Sequence, residues 1–330
     1  MLIWFAISVS VPKGIKKVYL ILHGWKMIDL VTVLGHTAAG KTAFAAHLAD
    51  RLGGEIISAD SRQVYRGMDI GTGKDYKDYL VKDHRIPVHL IDILDAGYEY
   101  NVYLFKRDFL RIFTDISERA RMPVLCGGSG LYIESVLRNY RLLNVPLNTS
   151  LREELENLSY EELVEILKLY GPLHNITDSG NRKRMIRAIE IASYQSGQLQ
   201  DTGDERELNP FVLGIRFDRD IRRERITRRL RERMEEGMVD EVKGLLNSGV
   251  PADKLDYYGL EYRYVCKYIL EELTFDEMFS RLNTAIHQFA KRQMTYFRGM
   301  ERRGIAIHWL DGGLSMEEKI KQALARFNAT

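Results

Sequence analysis

The segment Gly35-His36-Thr37-Ala38-Ala39-Gly40-Lys41-Thr42 has the spacing GxxxxGK[ST] in full. The glycines let consecutive backbone N–H groups turn inward around an anion, and a helix starting at the loop adds the positive end of its dipole. Lys41 can then reach an outer phosphate, and the Thr42 hydroxyl can ligate Mg²⁺. The motif predicts a phosphate site of the nucleotide-binding type but does not choose the phosphate. Two carboxylates could serve it: Asp60, after the apolar run EIISA, and Asp92, after VHLI. In an NTPase such an aspartate holds the metal's water. In a small-molecule kinase, an aspartate after the second strand faces the acceptor instead.

The elements around the loop suit it. Leu30–Leu34 is a short apolar run ending in glycine, and residues 41–52 carry helical spacing through Phe44, Leu48 and Leu52. Glu55–Ala59, Val88–Leu94 and Pro123–Cys126 read as further strands, with a helical stretch at Val102–Arg121. Strands alternating with helices predict parallel pairing, hence an α/β fold with a P-loop NTPase-like sheet. Between about 140 and 205 the strand signal vanishes, and LREELENLSYEELVEILKLY and GNRKRMIRAIEIASYQSG read as charged helices. Phe211–Phe217 resumes the strand pattern, long charged helices fill 219–300, and Gly304–Leu310 offers a last strand. The expected organisation is a core from 27–140 and 206–330 with a helical insertion at 141–205.

Composition sets the limits. The chain has 330 residues, 45% hydrophobic and 28% charged, an ordinary globular balance. A net charge of +2 means that a nucleic-acid partner must be met by local basic faces. Cys126 and Cys266 show no CxxC spacing, which argues against a zinc site or disulfide framework and for a reducing cytoplasm. The apolar start MLIWFAISVSV is too short to span a bilayer, so no membrane is expected. Residues 1–26 read as an extension ahead of the domain, dispensable for activity.

From Gly35 onward the chain resembles the tRNA dimethylallyltransferase family. SADSRQVYRGMDIGTGK (58–74) resembles that family's SADSxQVYxGMDIGTAK, followed by HLIDILD (89–95) and by GGSGLY (127–132) in place of GGTGLY. NRKRMIRAIEI (181–191) resembles the insertion's RxxRALEV segment, and FAKRQMTYFR (289–298) its AKRQxTWFR helix. His36 departs from the family's proline, Ala39 from its serine, and His287 from its arginine; a GYKE-like motif appears only as YGLEYR (258–263).

The resemblance implies transfer of a dimethylallyl group from its diphosphate to N6 of the adenosine at tRNA position 37, beside the anticodon, with Mg²⁺. It implies a target base flipped into a channel whose other end admits the diphosphate. Gly35, His36, Thr37, Ala38, Ala39, Gly40, Lys41 and Thr42 would bind the diphosphate, with Thr42 on the metal and Arg219 matching a diphosphate-binding arginine. Asp60 matches the catalytic aspartate, and a carboxylate suits it because the adenine amine is a poor nucleophile until it sheds a proton. Asp60, Ser61, Arg62 and Gln63 would rim the base pocket, with Ser129 in the GGSG turn. Lys183, Arg184 and Arg187 on the insertion, and His287, Gln288, Lys291, Arg292 and Gln293 on the AKRQ helix, would meet the anticodon stem-loop. Basic faces interleaved with aromatics can hold phosphates and stack a displaced base. The expected protein is a monomer. Rival readings are an adenylate (cytokinin-type) isopentenyltransferase, a P-loop kinase or NTPase, and a tRNA-binding paralogue.

Overall fold

The computed structural model describes residues 28–170, 182–196 and 207–330. The reading of residues 1–26 as an extension lies outside them. Six parallel strands form one sheet in the order β5-β2-β6-β1-β7-β8. These are β1 (Leu30–Gly35), β2 (Gly54–Ala59), β5 (Val88–His89), β6 (Met122–Gly127), β7 (Pro210–Arg216) and β8 (His308–Asp311). A separate two-residue ladder pairs β3 (Leu80–Val81) with β4 (His84–Arg85) antiparallel.

The centre of the sheet is β1, paired with β6 through Val33↔Cys126 and with β7 through Gly35↔Ile215. All six of its residues are buried, as the unbroken apolar run requires of a parallel strand covered on both faces. Leu30 and Leu34 join one hydrophobic cluster with Phe105, Phe109, Phe113 and Leu125. Val31 and Val33 alternate to the other, with Phe44, Ile56, Val124 and Leu213.

Helix α1 (Lys41–Leu52) follows β1 directly and stops at Gly53, which takes the left-handed conformation a helix end favours. Helix α2 (Val102–Glu118) is capped by Asn101 and buries Phe105, Phe109, Ile112, Phe113 and Ile116 at helical spacing. Helix α3 (Gly130–Leu137) follows β6. Three helices, α4 (Thr149–Glu156), α5 (Tyr160–Leu169) and α6 (Arg182–Ser196), interrupt the core before β7. They have their own apolar centre of Leu155, Leu163, Leu167, Met185, Ile186 and Ile189.

The chain then runs through α7 (Arg219–Glu235), α8 (Met238–Asn247), α9 (Ala252–Tyr258) and α10 (Leu260–Ile269) to α11 (Phe275–Arg302). A capping box between Thr274 and Glu277 starts α11, which is 28 residues long and so about 42 Å from end to end. A final helix, α12 (Met316–Phe327), packs beside α1. Its signal, a Ser315–Glu318 capping box ahead of an amphipathic run, was present in the sequence and not read there.

Two strands differ from expectation. Of Val88–Leu94 only Val88–His89 joins the sheet, with Leu94 making an isolated bridge to Tyr65, because Leu90 and Asp92 take positive φ angles of 62° and 54°. The turn presents Asp92 to Lys74 and Tyr76. The last strand forms at His308–Asp311, at the end of the stretch that suggested it.

Candidate active site

The loop after β1 lies at the C-terminal edge of the central strand, where open parallel sheets bind ligands. Ala38 at φ 60° and Gly40 at φ 73° coil the backbone tightly there. No side chain caps α1 and its first turn carries no acidic residue. An unopposed positive helix end therefore faces the loop's interior. Lys41 folds back so that Nζ donates to the His36 carbonyl at 2.8 Å. Burial lowers its pKa to about 8, although Asp60 nearby favours the charged form.

His36 is fully buried, and desolvation lowers its pKa to about 4. Its Nδ1 donates to the Thr37 carbonyl at 2.6 Å while Nε2 has no hydrogen-bond partner. The neutral ring packs 6.1 Å from Phe217. This histidine shapes the loop from behind.

A chamber of about 600 Å³ opens from the loop. Thr37, Lys41 and Thr42 of the loop line it together with Asp60, Ser61, Arg62 and Gln63, and Asp60 is close enough to Lys41 to act on its charge. Asp60 directly follows β2, and its Oδ1 accepts the Arg62 N–H at 2.9 Å. Ser129 Oγ accepts the Ser61 N–H at 3.2 Å. Gln63 Nε2 donates to Gly73 O at 3.0 Å and to Thr72 O at 3.4 Å. Cys126 sits in the wall, and burial pushes its thiol up to about 12, so it is no nucleophile at neutral pH.

The glycine turn after β6 is demanded by close approach. A Cβ on Gly127 would stand 2.2 Å from the Ala59 carbonyl, and one on Gly130 2.3 Å from the Tyr296 ring. Gly127 lets β6 close on the end of β2, and Gly130 lets α11 lie against the chamber. Gln293 takes advantage of that approach. Its Oε1 accepts the Thr37 N–H and its Nε2 donates to Gly128 O, each at 2.9 Å. Both ends of the amide thus hold two loops together, while Gln293 also lines the chamber.

A second chamber, of about 330 Å³, shares Lys41, Thr42, Arg229 and Arg233 with the first. Arg225, Arg228, Arg229 and Arg233 of α7 line it, with Asp75 and Asp78. Arg225 Nε donates to Ala38 O at 3.1 Å and its guanidinium lies 4.5 Å over the Phe217 ring. Arg229 pairs with Asp75, and Arg233 with Glu261 at 3.3 Å.

Arg219 is not among these residues. It is exposed at the N-terminal end of α7, about 9 Å along the axis from Arg225 and 21 Å from Arg233. The arginines that flank the phosphate loop are Arg225, Arg229 and Arg233, spaced i, i+4, i+8. That spacing was legible, but the many charges of α7 hid which face would turn inward.

The residues expected to face RNA divide similarly. Arg184 and Arg292 line the mouth of the first chamber with Phe289, which is 41% exposed. Lys183, Gln288 and Lys291 are exposed and do not line it. Nor does His287, whose Nε2 lies 3.2 Å from Thr227 Oγ1. Arg187 turns into the insertion and donates to Val145 O at 2.7 Å and to Glu190 at 2.5 Å. Burial alone would raise Glu190's pKa, but Arg152 and Arg187 hold it down to about 2.

A profile of the IPP transferase family matches residues 63–300. The chain belongs to the IPP transferase family. It is 55% identical over 303 residues to tRNA dimethylallyltransferase 1 of Parabacteroides distasonis, covering 92% of this chain and 99% of that protein. It is 56% identical over 302 residues to tRNA dimethylallyltransferase 2 of Bacteroides fragilis, covering 91% and 99%. The solved structure of a tRNA isopentenylpyrophosphate transferase from Bacillus halodurans superposes with a TM-score of 0.66 at 34% identity, covering 91% of this chain and 95% of that one. The resemblance read from the SADS and AKRQ segments is therefore correct, and the chain is an enzyme of the IPP transferase class. Among the described residues, no helix is long and apolar enough to cross a membrane.

Proposed function

We propose that this IPP transferase moves a dimethylallyl group from dimethylallyl diphosphate to N6 of the adenosine at tRNA position 37, next to the anticodon. The observation that carries this reading is the single chamber joining the phosphate loop to Asp60–Gln63. A leaving diphosphate against the loop and an acceptor amine against Asp60 can share it, with the allylic carbon between them. The N6–carbon bond forms as the carbon–oxygen bond to the diphosphate breaks. Asp60 takes the proton that the amine sheds, and N6-isopentenyladenosine and inorganic diphosphate leave.

Charge grows on the diphosphate as its bond to carbon breaks. The loop N–H groups, Lys41 and the Arg225–Arg229–Arg233 stripe are fixed where they can stabilise that charge. Thr42 opens on both chambers and would hold Mg²⁺ together with phosphate oxygens. The described residues contain no cluster of three acidic, histidine or cysteine ligands, a donor set that fits an ion held chiefly by substrate phosphate and water. Bound there, Mg²⁺ would neutralise part of the departing charge.

Arg184 from the insertion and Arg292 beside Phe289 rim the mouth, a grip suited to a polynucleotide and unneeded for a free nucleotide. We place the reaction in the cytoplasm, where Cys126 and Cys266, both buried and free, stay reduced. The test is labelled dimethylallyl diphosphate offered to total tRNA, to AMP and to neither. Label should enter tRNA alone; transfer to AMP would establish the adenylate enzyme, and label lost as free alcohol or diphosphate without transfer would end the proposal.

A further inference from the structure

The side chain of Glu241, on α8, lies outside the residues lining either chamber, yet it accepts four hydrogen bonds. Its Oε2 takes the N–H groups of Asp69 and Ile70 at 2.8 and 2.7 Å. Its Oε1 takes the Gly71 N–H at 3.0 Å and the Tyr262 hydroxyl at 2.8 Å. Three consecutive backbone N–H groups converging on one anion form the kind of nest that elsewhere holds a phosphate. Here the protein fills it with its own carboxylate. The other end of the same short loop is tied by Lys74, whose buried ammonium reaches Asp69 at 2.8 Å as well as Tyr65 O and Asp92.

Between these two anchors the loop presents the carbonyls of Thr72 and Gly73, and both accept from Gln63 Nε2. That settles the orientation of the Gln63 amide, since an oxygen placed against two carbonyls would be repelled. With both N–H donors engaged, Gln63 has only its carbonyl oxygen to offer the chamber. Ser58 Oγ is its one other partner, at 3.3 Å.

We propose that Glu241 is a positioning residue for acceptor choice, holding the 69–73 loop so that Gln63 faces the chamber as a hydrogen-bond acceptor for a base carrying an exocyclic amine. This rests on the tRNA-transferase reading and deepens it. An adenine amine has two hydrogens, one for Asp60 and one for Gln63. A base with a keto oxygen at that position would meet two oxygens and no donor.

The test is binding, not turnover. Anticodon stem-loop RNAs carrying adenosine or inosine at the target position are titrated against wild type, Glu241→Gln, Gln63→Ala and the double variant. Wild type should favour adenosine by more than tenfold, about tenfold of it from the hydrogen bond to Gln63 in a shielded site. Gln63→Ala should lower the ratio about tenfold, to the preference that Asp60 keeps on its own. Glu241→Gln should lower it severalfold, because its amide cannot accept from all the loop N–H groups and Gln63 is freed to turn. If Glu241 acts through Gln63, the double variant should match Gln63→Ala alone. Tyr262→Phe leaves three of the four bonds in place and should stay within twofold of wild type. Should Glu241→Gln fold poorly, Glu241→Asp, too short to span the loop, is read the same way. An unchanged adenosine-to-inosine ratio in the Glu241 variant, or effects that multiply in the double variant, would overturn the proposal. Loss of thermal stability with the ratio intact would make Glu241 a structural anchor only. Absence of wild-type transfer to tRNA would instead count against the underlying function, and that assay is separate.

Discussion

The backbone N–H of Thr37 donates to the side-chain oxygen of Gln293 at 2.9 Å, across 256 positions of sequence. The other end of that amide holds Gly128 O, so one glutamine joins the phosphate loop to the turn that carries Ser129. Gln293→Ala should therefore weaken dimethylallyl diphosphate binding by about tenfold, from loss of two shielded hydrogen bonds and loosening of the loop. Gln293→Glu should do no better, because a carboxylate cannot donate to Gly128 O. Calorimetric titration of the diphosphate checks this. If diphosphate affinity stayed constant while RNA affinity fell, Gln293 would belong to the RNA contacts first expected of it.

Asp60 and Lys41 line one chamber but serve acceptor and leaving group respectively in the proposed reaction, so they should separate kinetically. Asp60→Ala should lower single-turnover transfer by ~10²–10⁴, the usual worth of a general base, with diphosphate affinity barely changed. Lys41→Ala should weaken diphosphate binding and slow transfer as well, since its charge serves both bound and departing anion. Loss of diphosphate binding in Asp60→Ala, with transfer at saturation intact, would make the aspartate a metal-site residue and restore the kinase-like reading.

Diphosphate affinity should depend on pH through Lys41. Burial sets its pKa at about 8 in the empty site, below its ordinary 10.5. A bound anion favours the ammonium and raises that value, so above about pH 8 binding must take up a proton. Affinity should be greatest below pH 8 and fall by up to about tenfold per unit above it. Folding runs the other way. The folded state holds fewer protons than the unfolded between about 8 and 10.5, so Lys41's burden on stability is full below that window and is relieved across it. Titrations from pH 7 to 9.5 should lose their slope in Lys41→Ala, and an unchanged slope would locate the titrating group elsewhere.

Three arginines that looked alike in sequence should behave differently. Arg184→Ala and Arg292→Ala should each shallow the log–log salt dependence of tRNA binding by about 0.7–0.9 if each meets one phosphate. Arg187→Ala should chiefly destabilise the insertion, by about 1–3 kcal/mol, because buried Glu190 keeps Arg152 but loses its second cation. Thermal melts beside salt titrations distinguish the two effects. A flattened salt slope with no loss of stability in Arg187→Ala would assign it to RNA after all.

The sequence by itself determined the local chemistry. A glycine-spaced loop between an apolar strand and a helix has few ways to fold, so the tight turn at Ala38 and Gly40, the buried parallel core and Asp60 just after β2 were readable from residues next to one another. The helical insertion was equally legible, because apolar residues at helical spacing without strand runs specify helices. Tertiary structure decided which members of a charged helix face the site. Arg219 and Arg225 are the same residue type six positions apart, and only the packing of α7 beside the phosphate loop puts Arg225 against Ala38 O and leaves Arg219 in solvent. Arg184 and Arg187 were separated in the same way, one turned to the chamber mouth and the other drawn to buried Glu190. The hydrogen bonds of Gln293 to Thr37 and Gly128, and of Glu241 to the 69–71 loop, could not be found from spacing, since each spans more than a hundred positions. A hydrogen bond has no signature along the chain until folding brings its donor and acceptor within three ångströms or so.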